Sequence, residues 1–374
     1  MARWFRFLKQ CPLFVMVSLI ILVISLSSVL TPQQSFSRRY GDYLAAAPRF
    51  DMERWWDGSF IREYTKYVSD QIWLRDNWLL TRSLSEFFML KTQSNGVVYG
   101  RDGHLFSAFN GYPPGRMVNN LDAIDLFAYQ AVSKVHVMII PTASYPLIDY
   151  LPTDMPSADQ GYYISRMNQY LDNYASVVNI KDVLAINANE YIYYRTDPHW
   201  TTYGAWLAYS QFASATEQRA IRYSPGALVS VDGYLGSNYS KGKPLFVTPD
   251  TIEYFDLPGT VTFDGVEHDG LYDYERFSQV DKYSAFLHGS HAYSVIKGEH
   301  DSFKRSNIVV ISDSFGYSFI PMLTQNYNEI IFVDLRFYVG SFEEFRSTRY
   351  DDILIMLGFE AICNNTNLVK IVME

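Results

Sequence analysis

Cysteine is almost absent from this chain of 374 residues. The two cysteines are Cys11, at the edge of an apolar segment, and Cys363, close to the other end of the sequence. Thiols so placed are not expected to pair, which excludes a disulfide framework and a metal site built from several cysteines. The scarcity of cysteine does not decide the compartment, because exported proteins also fold without disulfides.

Positively charged residues are fewer than negatively charged ones. Lys and Arg number 31 against 40 for Asp and Glu, so the formal net charge is −9. Nucleic-acid binding needs a basic footprint, and no nucleic-acid partner is expected. Tyrosine, in contrast, is abundant, with 30 residues. Tyrosine stacks on sugar rings, which suits a carbohydrate surface, but it also fills cores, and composition alone favours the core interpretation.

A long apolar run without any charge covers Pro12 to Leu30, which is 19 residues. A helix rising about 1.5 Å per residue over this length nearly spans a hydrocarbon core of about 30 Å. Arg3, Arg6 and Lys9 precede the run, so the positive-inside rule places the tip in the cytoplasm and the rest outside. A cleaved signal peptide is the alternative. The run exceeds a typical h-region and no A-x-A-like site follows, which favours a single-pass, uncleaved signal anchor over residues 1–30.

Residues 31–119 are expected to form a helical stalk and a hairpin that pack on the core. From residue 33 to about residue 92, apolar residues recur at helical spacing with charged residues between them. Ser94-Asn95-Gly96 interrupts this pattern, and the following GVVYGRDGHLF turns at Gly100 to Gly103 as a hairpin does. A Pro-Gly loop then precedes the main domain.

Residues 120–374 change to an alternating pattern that predicts an α/β fold with an open, mostly parallel sheet covered on both faces. The expected strands are short aliphatic runs, and the expected helices lie between them. A turn-rich stretch is expected to hold loops and short antiparallel strands. The strands are 135–140, 176–180, 307–311, 329–334 and 352–357; the helices are 121–134, 160–175 and 201–216; the turn-rich stretch is 225–299.

The first candidate for chemistry is the pair Asp197 and His199, two residues apart. In an extended segment such residues share a face, so the carboxylate can fix the tautomer of the imidazole and stabilise its cation. The same residues also resemble the start of a helix, with Asp or Thr as the N-cap and Pro in the first turn. The motif alone does not decide between a catalytic pair and a helix cap.

The second candidate is Ser314, which follows a predicted strand at the edge where α/β proteins bind ligands. On the motif alone, a helix N-cap is the favoured explanation. The two motifs are stronger together, because a nucleophilic serine needs a base and the base needs an orienting group. No pair of the seven histidines has helical metal-ligand spacing, so neither a metal nor a cofactor is expected.

Several segments together resemble the DHHW family, which is related to the AlgX/AlgJ-like proteins of alginate O-acetylation. They are TDPHWTTYGAW, DSFGYSFIPML, NEIIFVDLRFY, YDDILIML and the earlier NGVVYGRDGHLF. The resemblance implies an SGNH-hydrolase-like three-layer sandwich preceded by one transmembrane helix. It also implies a triad in the order Asp197, His199, Ser314, a permuted order with D-x-H in place of the usual D-x-x-H. The implied activity is O-acyl transfer, most often acetyl transfer, to an exported or cell-surface polysaccharide.

The sequence departs from the family pattern at three positions. Pro198 stands where the family name implies a histidine, and Ser312 stands where ordinary SGNH enzymes have glycine. Ser290 stands where relatives often have asparagine as an oxyanion donor, so Gly289 and Ser290 are weaker candidates for that role. Arg336 is a further candidate for holding a donor or an acidic sugar, although a surface ion pair is the slightly favoured explanation.

The expected partners are a polysaccharide acceptor, the membrane through the N-terminal helix, and a membrane-bound O-acyltransferase that supplies the acyl group. Two other functions fit the same fold. A carbohydrate acetylesterase would use the same triad with water as acceptor, and a non-catalytic glycan-binding scaffold would not use the triad at all.

Overall fold

The computed structural model describes residues 11–37, 40, 42–109, 111–153, 155–156, 158–299, 301 and 303–373. Arg3, Arg6 and Lys9, on which the predicted orientation depends, lie outside these residues. The chain divides into two compact units, residues 1–91 with 243–245 and residues 92–242 with 246–374. The boundary predicted between residues 119 and 120 falls inside the second unit, which contains the predicted hairpin. The predicted three-part division stays a prediction.

The first unit is mainly helical, as predicted for residues 33–92. It contains α1 (Pro12–Leu30), the paired antiparallel strands β1 (Phe36–Ser37) and β2 (Asp42–Tyr43), and the helices α2 (Met52–Trp56), α3 (Ser59–Gln71) and α4 (Arg75–Phe88). Among the described residues, only α1 is long and apolar enough to cross a membrane, and none of its residues is buried by protein.

The second unit contains the remaining elements. The strands are β3 (Gln93–Ser94), β4 (Val97–Tyr99), β5 (Leu105–Ser107), β6 (Val135–Ile140), β7 (Ser176–Val177), β8 (Leu228–Tyr234), β9 (Asp250–Phe255), β10 (Thr260–Phe263), β11 (Val266–Asp269), β12 (Tyr293–Lys297), β13 (Arg305–Ser312), β14 (Tyr327–Asp334) and β15 (Asp352–Gly358). The helices are α5 (Pro114–Gln130), α6 (Gln160–Leu171), α7 (Lys181–Ile186), α8 (Thr202–Ala215), α9 (Ser237–Gly242), α10 (Gly316–Leu323), α11 (Glu343–Ser347) and α12 (Phe359–Asn364).

An eight-stranded sheet with the order β11-β10-β12-β14-β13-β15-β6-β7 forms the centre of the second unit. The strands from β14 to β7 are parallel, whereas β12, β10 and β11 extend the sheet in antiparallel fashion. The mostly parallel sheet predicted from the sequence is therefore confirmed, and its antiparallel edge comes from the turn-rich stretch. The predicted hairpin is also present, as β4 and β5.

Alternating side chains of the parallel strands enter two separate hydrophobic cores. Along β13, Ile308 and Val310 belong to the core that also holds Phe212 of α8, whereas Val309 and Ile311 belong to the core on the other face, with helix α5. Strands buried on both faces explain why these runs are continuously aliphatic. The result is a sandwich of helices, sheet and helices.

Some boundaries differ from the predicted ones. Helix α5 begins at Pro114 instead of Leu121, because a proline is well tolerated in the first turn of a helix. Helix α6 ends at Leu171, and β7 is only two residues long.

Strand register brings three chain segments to one edge of the sheet. Ser312, near the end of β13, pairs with Asp334 at the end of β14 and with Met356 of β15. Because parallel strands all end at the same edge, the residues that follow them are neighbours. Ser314, Arg336 and Glu360 each lie just beyond one of these strands.

Candidate active site

The segment that carries Asp197 and His199 lies between an isolated bridge and helix α8. Tyr193 pairs with Trp200, and Thr201 caps the helix by accepting a hydrogen bond from the Gly204 amide at 3.2 Å. The cap is therefore Thr201, and Asp197 is left for another role. This geometry removes the helix-cap explanation for Asp197.

Asp197 is the orienting partner of His199. Its Oδ1 atom contacts Nδ1 of His199 and accepts the His199 backbone amide at 3.0 Å, while Oδ2 accepts the Ser237 amide at 2.8 Å. Burial alone would raise the pKa of Asp197, but the charge of His199 and these hydrogen bonds outweigh burial and lower the pKa to about 2. The carboxylate therefore stays ionised at neutral pH, as an orienting group must.

Two aromatic rings hold the imidazole of His199. Tyr283 stacks on it, with ring centroids 4.4 Å apart and planes 11° apart, and Phe315 meets it at 5.1 Å in an edge-on arrangement. No described residue forms a hydrogen bond with Nε2. With Nδ1 held by Asp197, the ring presents Nε2 as an unoccupied proton acceptor.

Ser314 lies in the turn between β13 and α10. The helix begins at Gly316, and the amide of Phe315 bonds to the side chain of Asp313 at 3.0 Å, so Ser314 caps nothing. Asp313 also accepts the amide of Gly358 at 2.8 Å, which ties this turn to the end of β15. The Ser314 hydroxyl has no hydrogen-bond partner among the described residues and is half-buried.

Hydrogen bonds of side chains from three segments link the histidine segment to the serine segment. The indole N–H of Trp200 donates to Ser318 Oγ of α10 at 2.9 Å. The Tyr283 hydroxyl lies 3.1 Å from the Ser314 carbonyl and 3.2 Å from Ser318 Oγ. These side chains fix the distance between His199 and Ser314 through buried hydrogen bonds. No local sequence pattern indicates Tyr283 or Ser318.

Behind the pair, Asp250 and Gly236 hold the backbone of the histidine segment. Asp250, which is 1% exposed, accepts the amides of Arg195 at 2.9 Å and Thr196 at 2.8 Å. Gly236 donates its amide to Thr196 Oγ1 at 2.9 Å, and a Cβ at this position would collide with Asp197. A side chain at position 236 would therefore displace the carboxylate.

A cavity of about 460 Å³ joins the candidate residues. His199 and Ser314 both line it, and so do Arg336 and Glu360. No hydrogen bond links His199 to Ser314, and such bonds are often long before substrate binds. Among the described residues, no group of three or more His, Cys, Asp or Glu is arranged to hold a metal ion.

The structure treats the weaker candidates differently. Arg336 lines the cavity and also forms an ion pair at 2.6 Å with the buried Asp334. A role in holding a donor or an acidic sugar stays a prediction. Burial would lower the pKa of Arg336, but Asp334 outweighs it and raises the pKa, which keeps the guanidinium charged. Gly289 and Ser290 are not among the residues lining the cavity. Their role as oxyanion donors stays a prediction.

The tyrosines are mainly core residues at this site. The aromatic residues that line the cavity, among those described, are Phe106 and Phe315. Tyr193, Tyr194 and Tyr209 are fully buried. The composition-based preference for the core interpretation agrees with these positions.

About three quarters of the chain is similar to solved structures of other proteins. A DHHW family protein from Eubacterium siraeum DSM 15702 is 22% identical with a TM-score of 0.62, covering 74% of this chain and 96% of that one. Bacillus cereus PatB1 is 16% identical with a TM-score of 0.59, covering 72% and 97%. The O-acetyltransferase domain of Pseudomonas putida AlgJ is 15% identical with a TM-score of 0.45, covering 71% and 92%.

The first two of these similarities, with TM-scores of 0.62 and 0.59, establish the fold, and the family follows from the sequence itself. No curated protein matches the chain. The family model described as DHHW protein matches residues 115–333, which is more than half of the chain and includes both the histidine and the serine segments. The chain belongs to the DHHW family.

Proposed function

We propose that this protein is an extracytoplasmic O-acyltransferase that moves an acyl group, in the first instance acetyl, onto a polysaccharide. One observation carries the proposal. Asp197 orients His199, which lines the same cavity as Ser314, and neither His199 Nε2 nor the Ser314 hydroxyl has a hydrogen-bond partner among the described residues. A nucleophile, a base and an orienting carboxylate in this relation are the requirements of serine acyl transfer.

In the first half-reaction, Ser314 Oγ attacks the carbonyl carbon of an acyl donor while His199 Nε2 takes the hydroxyl proton. Asp197 stabilises the imidazolium that results. The tetrahedral intermediate collapses, the leaving group receives the proton from His199, and the acyl group remains on Ser314 as an ester. The proposed oxyanion donors are the Ser314 backbone amide and a group from Gly289-Ser290. Each such donor stabilises the transition state by about 3–4 kcal/mol.

In the second half-reaction, a sugar hydroxyl attacks the acyl ester. His199 Nε2 removes the hydroxyl proton, the new ester forms on the sugar, and the proton passes to Ser314 Oγ as it leaves. Water in place of the sugar would make the same site an esterase. The choice between the two depends on acceptor binding and on the exclusion of water.

The proposed location follows from the apolar helix α1. As an uncleaved anchor it would hold the second unit outside the membrane, where exported polysaccharide is found. An acyl group made in the cytoplasm has to cross the bilayer to reach this site. The proposal therefore includes a membrane-bound O-acyltransferase as the donor partner.

The test uses the full chain in detergent, p-nitrophenyl acetate as donor and a panel of neutral and acidic oligosaccharides as acceptors. Mass spectrometry of the sugars reports transfer, and p-nitrophenol release reports total turnover. The proposal predicts O-acetylated sugar with the wild type and none with Ser314→Ala. Turnover without sugar product would indicate an esterase, and the absence of both from a folded protein would favour the scaffold.

A further inference from the structure

Glu360 occupies a fixed position at the edge of the cavity. It lies in α12, two residues beyond Gly358, where β15 ends. The Gly358 amide bonds to Asp313, the residue before the candidate nucleophile, at 2.8 Å. A Cβ at Gly358 would approach Asp313 and Phe315 to 3.2 Å, so the glycine permits this close contact. The start of α12 is therefore held in register with the turn that carries Ser314.

The carboxyl group of Glu360 is unpaired among the residues that the structure describes. It forms no hydrogen bond and no ion pair with any residue in the described part of the chain. Burial raises its pKa, and the charge of Lys241, which also lines the cavity, opposes that rise without forming an ion pair. A partly buried carboxyl left unpaired costs free energy unless a ligand supplies hydrogen bonds.

Glu360 also marks the place where the cavity continues away from the candidate triad. A smaller recess of about 20 Å³ shares Ser107, Thr142, Ser144 and Glu360 with the cavity, but neither His199 nor Ser314 lines it. Three of these four shared residues are hydroxyl-bearing. The amide of Gln160 holds two of those hydroxyls, Thr142 at 2.6 Å and Ser144 at 3.1 Å. This side of the cavity is therefore a fixed polar surface ending at an unpaired carboxylate.

We propose that Glu360 is the acceptor-binding residue, whose carboxylate accepts hydrogen bonds from the hydroxyls of a neutral saccharide and so holds one hydroxyl near Ser314. The inference rests on the proposed acyl transfer and names the acceptor class for that site. Vicinal sugar hydroxyls are donors that match the two oxygens of a carboxylate. A uronate would place a second negative charge beside Glu360 and is disfavoured by repulsion.

The experiment has two arms and uses the full chain in detergent. In the first, isothermal titration calorimetry measures binding of neutral tetrasaccharides of glucose, galactose and N-acetylglucosamine, with a mannuronate tetrasaccharide for comparison and no ester present. In the second, p-nitrophenyl acetate is the donor, and the acylation of Ser314 and the transfer to sugar are measured separately. The variants are Glu360→Gln and, as a matched control, Glu267→Gln, an exposed glutamate in β11 that is absent from the cavity lining.

We expect a neutral tetrasaccharide to bind more tightly than the mannuronate. Glu360→Gln should weaken that binding and lower transfer about 10- to 100-fold more than it lowers acylation, the loss expected for hydrogen bonds to a charged group. Glu267→Gln should match the wild type in both arms. Equal binding by wild type and Glu360→Gln, no wild-type binding to any neutral sugar, or an equal loss in both half-reactions would overturn the inference. Failure of acylation in the wild type, with sugar binding still dependent on Glu360, would instead refute the triad.

Discussion

Two histidine–aspartate pairs occur among the described residues, one at each end of the parallel strands. His199 lines a cavity beyond the carboxyl ends of the strands, and Asp197 contacts the ring of His199. His136 and Asp352, near the amino ends of β6 and β15, are joined at 2.9 Å and are 0% and 1% exposed. In both pairs the carboxylate meets one ring nitrogen, but His199 lines the cavity that Ser314 also lines, and His136 does not line it.

The difference lies in what surrounds each pair. Asp352 also accepts hydrogen bonds from Arg305 and, at 2.6 Å, from Tyr327, so protein groups already neutralise and hydrogen-bond its carboxylate. The second nitrogen of His136, Nδ1, is buried without a partner among the described residues. A histidine–aspartate pair is therefore not a site by itself. Access to the free ring nitrogen separates the candidate catalytic pair from the structural one.

The largest expected effect is on the rate of acylation when the histidine of each pair is replaced by leucine. His199→Leu should slow acylation of the protein by p-nitrophenyl acetate roughly 10²–10⁴-fold, because it removes the general base. His136→Leu should leave the folded fraction nearly as active, but should lower the free energy of unfolding by about 3 kcal/mol, since it breaks a buried pair. Stopped-flow release of p-nitrophenol and denaturant titration measure the two quantities. Equal losses of acylation in both variants would contradict the comparison.

The next largest effect on acylation is expected at Gly236, whose backbone packs against Asp197. Gly236→Ala should slow acylation about 10- to 100-fold, because the added methyl group collides with the carboxylate and a displacement of about 1 Å costs that much. Gly226→Ala is the matched control, since a Cβ there meets nothing within 4 Å. An unchanged rate in Gly236→Ala would show that the position of Asp197 does not matter.

A smaller effect is expected from Trp200→Phe. The substitution keeps a smaller aromatic ring and removes the 2.9 Å hydrogen bond to Ser318, which loosens the histidine segment from α10. We expect acylation to slow about tenfold, the equivalent of one hydrogen bond. Trp206→Phe removes a hydrogen bond of 2.8 Å from α8 to the Ile221 carbonyl, away from the cavity, and should not change the rate. If both variants slow acylation equally, general loosening of α8 is responsible.

The smallest effect is the pH dependence of stability. The folded-state pKa of Asp197 is lowered to about 2 from its ordinary value of 3.8, so the group stabilises the fold above about pH 4 and loses this effect as the pH falls towards 2. The contribution is about 2 kcal/mol. In denaturant titrations, the stability difference between wild type and Asp197→Asn should shrink from pH 7 to pH 3. A constant difference would mean that the pKa is not lowered.

The sequence predicts those parts of this molecule that depend on local pattern. Aliphatic runs identified β6, β13, β14 and β15, because strands buried on both faces leave that signature. The two-residue spacing singled out Asp197 and His199 as candidates, but they meet across a series of bends at residues 195–199 and not along the extended segment that was expected. Ser314 was identifiable only together with them, since a strand followed by Asp-Ser is common by itself.

The remaining site residues come from distant segments and have no local signature. Tyr283 stacks on His199 from a turn-rich stretch 84 residues later, and Asp250 holds the segment from strand β9. Glu360 reaches the cavity only because β15 ends beside β13. For the same reason His136 could not be paired with Asp352 from the sequence, as 216 residues separate them.

The most direct test of the central claim is the site of covalent modification. The full chain in detergent is incubated with p-nitrophenyl acetate, quenched in acid, and analysed by intact mass and peptide mapping beside Ser314→Ala and His199→Leu. We expect one acetyl group on the wild type, mapped to Ser314, with none on Ser314→Ala and strongly slowed labelling of His199→Leu. Labelling at another residue, or labelling of Ser314 at an undiminished rate without His199, would contradict it.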